Sequence, residues 1–316
     1  MTFRSAFARR LTEYIRLRRG LGFKLESQAA VLRRFDVYVC RQRYRGPLTQ
    51  ALAIAFAADS PMISRSERWR RYQFVRHFSE YLAAFDPHTP QLDPKALHKI
   101  NERPPVHVYS DAELGSLLRG AREISRKHPF RSLTLHAMIG LAASTGLRVG
   151  EVVRLDKGDV DLECGVMTIR RTKFKKDRLV PVHPTVVAVL RRYAVAREVA
   201  CRGADCPAFF INLRHQRFAR HTVDDSFRKL AQLVGIRGPR GKGPSFHGLR
   251  HRFAVRRLQA WYQDGVDVQG MLPALATYMG HVRYTDTAYY LTATAELMGL
   301  AAARYHRSPR SRRGGS

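Results

Sequence analysis

The stretch "DPHTPQLDPKALHKINERPPVHV", residues 86–108, divides the chain. Its five prolines each fix φ and remove a backbone donor, so neither a long helix nor a central strand can run through it. The expected organisation is therefore a helical domain over 1–86, a linker over 87–107 and a larger domain over 108–306. A last piece, 307–316 ("RSPRSRRGGS"), lacks apolar residues and is expected to be a disordered basic tail. A length of 316 residues suits two domains with their own cores.

Before the break, apolar residues recur at helical spacing in three patterns. Phe3, Phe7, Leu11, Tyr14 and Ile15 form the first stripe, and Val31, Leu32, Phe35 and Val39 the second. The third, "SERWRRYQFVRHFSEYLAAF" at 66–85, places Trp69, Tyr72, Val75, Phe78, Leu82 and Phe85 on one side. Arg68, Arg70, Arg71 and Arg76 fall mostly elsewhere on that helix. They are expected to lack acidic partners at helical spacing and so to be open to phosphates.

After the break, "YSDAEL" carries a capping-box pattern, Ser110 with Glu113, ahead of Leu114, Leu117 and Leu118. Helical patterns dominate again, with one exception. "DVDLECGVMTIRRTKFKKDRLVPV" at 159–182 holds two β-rich runs, Val166–Arg170 and Leu179–Val182, around a polar turn. The fold class expected is mainly α with a small antiparallel β-sheet whose hairpin tip carries lysines.

Charge narrows the partners. Fifty-six Lys and Arg against 26 Asp and Glu give +30, a field that attracts polyanions. Nucleic acid is the first candidate. A membrane is the rival, but no run approaches the roughly 18 apolar residues of a spanning helix. The opening residues lack the apolar core of a secretory signal. Four cysteines, Cys40, Cys164, Cys201 and Cys206, read as reduced thiols, because no second ligand pair follows at zinc spacing.

Three segments carry candidate chemistry. "SFHGLRHRF", 245–253, follows a loop rich in Gly, Pro and basic residues. A helix starting at Ser245, capped by its side chain, places His247, Arg250 and His251 on one face where an anion is welcome. "STGLRVGEVVRL", 144–155, sets Arg148 three residues before Glu151, close enough for the carboxylate to brace the guanidinium. In "YMGHVRYTDTAYYLTAT", 278–294, His281 and Tyr290 would lie on opposite sides of one straight helix. They can meet only if the chain turns, with Gly280 ending one helix and Thr285 or Asp286 capping the next.

TGLRxxE, a hairpin lysine, HxLRH, and GH followed nine residues later by Tyr: this ordered series resembles the tyrosine recombinase (phage integrase) family over roughly 106–300. The first domain resembles that family's helical core-binding domain. The resemblance implies that Arg148 and Arg250 grip a scissile phosphate, that His247 and His281 add hydrogen bonds to it, and that Glu151 supports the arrangement. It implies Lys173 as the hairpin lysine, with Lys175 and Lys176 as alternatives that also contact DNA, and Tyr290 rather than Tyr289 as the nucleophile. His251 is expected to be structural. No metal or other cofactor is implied. The implied partners are a double-stranded DNA recombination site, further copies of the chain (a tetramer on synapsed DNA, a monomer or dimer off it) and helper recombinases, with no membrane. The implied location is bacterial, cytoplasmic and nucleoid-associated. The C-terminal segment 295–305 is expected to dock on a neighbouring protomer. No additional arm-type domain is recognised ahead of the first helices, and the stretch from Arg250 to His281 is longer than in compact family members, as in transposon-borne ones.

The chemistry accounts for these residue types. Phosphodiester attack builds negative charge on the phosphoryl oxygens, which fixed guanidiniums and imidazoles stabilise. A phenol of pKa about 10 needs nearby cations to favour its phenolate. The departing deoxyribose oxygen needs a proton, which a lysine can deliver. A metal-dependent transposase using Asp156, Asp159 and Asp161, a type IB topoisomerase, and a DNA-binding accessory protein remain as alternatives.

Overall fold

The computed structural model describes residues 3–23, 25–60, 62–86, 89–98, 106–125, 127–170, 177–201, 206–238, 244–281, 287, 289–292 and 295–307. The chain divides into two compact units, Met1–Arg103 and Pro104–Ser316.

The first unit holds four helices among its described residues: α1 (Ala8–Gly20), α2 (Glu26–Arg41), α3 (Gln50–Ala57) and α4 (Arg65–Ala83). The first two expected stripes are buried in full. Phe3 and Phe7 lie ahead of α1, anchored where the Asp36 carboxylate accepts the backbone N–H groups of Arg4 and Ser5. The additional helix, α3, comes from the apolar run "ALAIAFAA" and is capped by Thr49. Phe7, Tyr14, Phe35, Phe56 and Phe78 pack ring against ring in the core.

Three expectations for this unit need correction. Phe85 is 53% exposed, because α4 stops before it, and the Arg10 guanidinium lies 4.3 Å from its ring centre. Three of the four expected arginines of α4, Arg70, Arg71 and Arg76, do have acidic partners at helical spacing. Glu67 accepts from Arg70 and Arg71, and Glu80 pairs with Arg76, since three- and four-residue separations bring these side chains together. Finally, much of the proline-rich stretch is tied down. Leu92 is buried, and the carbonyls of Pro90, Asp93 and Pro94 accept from Ser79, Tyr72 and Gln73 of α4. Chain that cannot donate to a helix or sheet ladder can still accept side-chain hydrogen bonds.

The second unit begins with α5 (Asp111–Glu123), whose reciprocal Ser110–Glu113 capping box is present as read. Next comes α6 (Pro129–Thr145), apolar and buried on most sides, ended by Gly146 at φ +65°. The one-turn α7 (Val149–Val152) leads to a three-stranded antiparallel sheet: β1 (Val160–Asp161), β2 (Val166–Ile169) and β3 (Arg178–Pro181). Met167 pairs with Val180, and with Ile169 they turn the sheet's buried face to the core. The tip between β2 and β3, with Lys173, Lys175 and Lys176, lies outside the described residues. Then follow α8 (Pro184–Ala200), α9 (Arg220–Leu233), α10 (His247–Gln263) and α11 (Val268–Met279). A short 3-10 turn (Tyr289–Thr292) and α12 (Ala295–Arg307) complete the unit.

Helix α10 starts two residues later than expected, and Ser245 does not cap it with its side chain. Its carbonyl accepts instead, from the Gly248 N–H and the Tyr109 hydroxyl. Helix α12 packs against α10 of its own chain, with Leu297 fully buried beside Phe253, Leu258 and Leu272. Among the described residues, no helix is long and apolar enough to cross a membrane.

Candidate active site

The site is organised on the C-terminal end of α11. Gly280, at φ +66°, closes that helix and leaves the carbonyls of residues 278–280 without helical donors. Three arginines from three other elements take them. Arg178 of β3 donates Nε to the Tyr278 carbonyl at 2.8 Å. Arg250 of α10 donates to Met279 at 2.7 Å, and Arg148, just ahead of α7, donates to Gly280 at 3.0 Å. The negative end of the helix dipole favours cations here. Arg250 also reaches the Gly146 carbonyl at 2.7 Å, at the end of α6.

Arg250 is 1% exposed, and burial together with the Arg148 charge lowers its pKa to about 10. It therefore stays charged at neutral pH. The Arg148 side chain is about one-third exposed and is braced by Glu151, whose Oε1 accepts from it at 2.9 Å.

The imidazoles and the tyrosine complete the cluster. Arg250 can only donate, so its 2.7 Å contact with His281 Nε2 makes that nitrogen the acceptor. The proton of His281 then sits on Nδ1, which donates to Thr287 Oγ1 at 2.7 Å. The rings of His247 and His251 meet at 4.8 Å between centres, and His251 meets Tyr290 edge to face at 5.1 Å. The Tyr290 ring stacks on His281 at 6.1 Å, so the chain does turn between them, as their spacing requires. Tyr290 is buried in the small core formed by α10, α11 and α12. Desolvation by the surrounding protein, reinforced by the nearby guanidiniums of Arg250 and Arg148, pushes His247 down to about 4, although the residue as a whole is exposed. Burial and the positive surroundings push His251 to about 3. Both rings are neutral at physiological pH.

Of the residues expected in the site, Arg148, Glu151, His247, Arg250, His281 and Tyr290 share this pocket. The three candidate lysines fall outside the described residues, as do Thr285 and Asp286, the expected helix caps. Arg178 is the member that the sequence reading missed. Its only signal is an arginine at the root of the hairpin, unremarkable in so basic a chain. The three aspartates of the metal alternative are engaged elsewhere. Asp156 pairs with Arg217, Asp159 with Arg170, and Asp161 accepts the N–H groups of Glu163 and Cys164.

Residues 114–296 match the model of the phage integrase family. Over 304 residues the chain is 44% identical to a Sinorhizobium fredii protein named as an integrase/recombinase, y4rE, covering 95% of this chain and 97% of that one. The chain belongs to the phage integrase family. Phage integrase relatives of known structure share its fold. The integrase of transposon Tn1549, in complex with a circular intermediate DNA, superposes with a TM-score of 0.68 at 17% identity, covering 96% of this chain and 99% of that one. A lambda integrase tetramer bound to a Holliday junction gives 0.62 at 16% identity, over 89% and 76%. The activity class of this family member is site-specific DNA recombination.

Proposed function

We propose that the chain cuts and rejoins DNA through a 3′-phosphotyrosyl intermediate, with Tyr290 as nucleophile, in moving or resolving a mobile element. The observation that carries this reading is the convergence of Arg148, Arg250, His281 and Tyr290 from separate elements on one pocket. A phosphate seated there would meet two fixed guanidiniums as charge grows on its oxygens. Tyr290 releases its phenolic proton to solvent, its oxygen attacks phosphorus, the bond to the 5′ oxygen breaks, and Lys173 gives that oxygen a proton. Resealing by a second 5′ hydroxyl reverses these steps, so the phosphodiester energy is kept and no ATP is needed. Every role is filled by a side chain, without a metal or cofactor.

The lambda integrase tetramer on a Holliday junction supports assembly of further copies on double-stranded DNA, and helper recombinases are the finer part of this proposal. Lys175 and Lys176 are assigned to the DNA backbone. On the first unit, Arg70 is better placed for phosphates than Arg71 or Arg76, its side chain being 43% exposed. Its bond to Glu67 is a surface pair of about 0.3–0.5 kcal/mol that a phosphate can displace. Arg68 is half-buried, while Arg71 and Arg76 are held more deeply in their pairs, which makes them weaker candidates than their sequence positions suggest.

The test is covalent-adduct formation on the flanking DNA of the native locus, in excess EDTA. Wild-type protein and Tyr289→Phe should form the adduct, and Tyr290→Phe should bind the DNA without forming it. Adduct formation by Tyr290→Phe would overturn the assignment of the nucleophile, and a strict need for magnesium would favour carboxylate chemistry.

A further inference from the structure

Arg178 makes more contacts with the pocket than a solvated hairpin residue has reason to. Its side chain is 10% exposed. Two of its nitrogens form a fork on Glu151, Nη1 to Oε1 at 3.2 Å and Nη2 to Oε2 at 3.0 Å, while Nε holds the Tyr278 carbonyl. Glu151 in turn accepts the Arg148 guanidinium on Oε1 and the Arg148 backbone N–H on Oε2. Both oxygens of one carboxylate, 2% exposed, are thus shared between Arg178 and Arg148.

We propose that Arg178 is a positioning residue for strand cleavage, acting through Glu151 to fix Arg148 and to leave its positive charge for the scissile phosphate. The proposal rests on the phosphotyrosyl reading above.

The charge argument is direct. A buried carboxylate facing a single arginine draws that arginine into a closed ion pair and offsets its field at the phosphate. With two arginines on one carboxylate, the cluster keeps a net positive charge while Glu151 still sets the Arg148 rotamer. Burial would raise the Glu151 pKa, but hydrogen bonds and charge from Arg178, followed by those from Arg148, more than offset that and hold it below the ordinary carboxylate range. Glu151 therefore stays ionised and keeps its grip.

The geometry also gives Gly280 a second reason to be glycine. Besides its positive φ, a Cβ there would stand 2.8 Å from Arg178 Nη1, so any side chain requires the Arg178 fork to shift.

The experiment is single-turnover cleavage of a duplex spanning the adduct position mapped in the native flanking DNA, made with either oxygen or sulfur at the 5′ bridging position. Removing the fork in Arg178→Met should slow cleavage about 10- to 100-fold on both substrates, because the loss lies in phosphate stabilisation rather than in proton delivery. Arg178→Lys, with charge but no fork, should recover only part of the rate. In a Glu151→Gln background, Arg178→Met should add less than about threefold, because the carboxylate through which it acts is gone. That background also removes the buried carboxylate charge, left with Arg148 alone, that could unfold the single variant. Rescue of Arg178→Met by sulfur would assign Arg178 to the lysine hairpin instead and overturn the proposal. Full additivity with Glu151→Gln, or an unchanged rate, would overturn it as well. An absence of adduct with wild-type protein would sink the phosphotyrosyl reading itself, which separates the two failures.

Discussion

His247 and His251 sit in the pocket as neutral rings with folded pKa values of about 4 and about 3. Unfolded histidines titrate near 6.5. Between these values the unfolded chain binds protons that the folded chain refuses, so stability without DNA falls as pH drops from about 6.5 toward 4. Urea midpoints measured across that window should show the decline, and His251→Asn should flatten it. A phosphate beside His247 favours its protonated form, so DNA binding near pH 5 should take up protons, measurable as a buffer-dependent heat. The same scale holds the test of Lys173. Without a proton donor the 5′ oxygen leaves as an alkoxide, a loss of about 10²- to 10⁴-fold. Lys173→Ala should be slow on normal DNA and nearly restored with sulfur at the bridging position, while Arg148→Ala stays slow on both. Rescue of Lys175→Ala or Lys176→Ala instead would move the acid along the hairpin.

Elements were legible where a period or a cap dictates them. The stripes of α1 and α2, the capping box of α5 and the β2–β3 hairpin follow directly from side-chain spacing. The residues of the pocket were legible because their motifs occur in a fixed order. What spacing could not reach was contact between distant segments. Arg178 meets Glu151 across 27 residues and Tyr278 across 100, and no local pattern announces either. The Glu67 and Glu80 pairs, by contrast, lie at three- and four-residue spacing and are legible in the sequence. The partner of α12 was not legible either, since an apolar face does not state what covers it. Within the chain, Leu297 fills the core beside Phe253. Leu297→Ala should therefore cost about 2–5 kcal/mol of stability, checked by urea unfolding. An unchanged midpoint would show that α12 leaves this core in solution.

At the scale of the molecule, a net charge of +30 sets how the protein meets DNA. Neutralising several phosphates releases as many counterions, so log affinity should fall linearly with log salt concentration. Each unit measured alone should give a shallower slope than the full chain, because each carries only part of the basic surface. Equal slopes for the second unit and the full chain, by fluorescence anisotropy across a salt series, would remove the first unit from the DNA contact.

At the end of α11 the three arginines hold main-chain oxygens, in addition to their side-chain contacts with Glu151 and His281. This constrains chain length more than composition. One residue inserted within α11 turns everything after it by about 100° and carries the three carbonyls away from their arginines. The same insertion in the loop between α10 and α11 leaves the helix end where it was. Length drift in relatives of this chain should therefore collect in that loop and spare the helix, and a grafted pocket would need the helix end transplanted along with its motif residues.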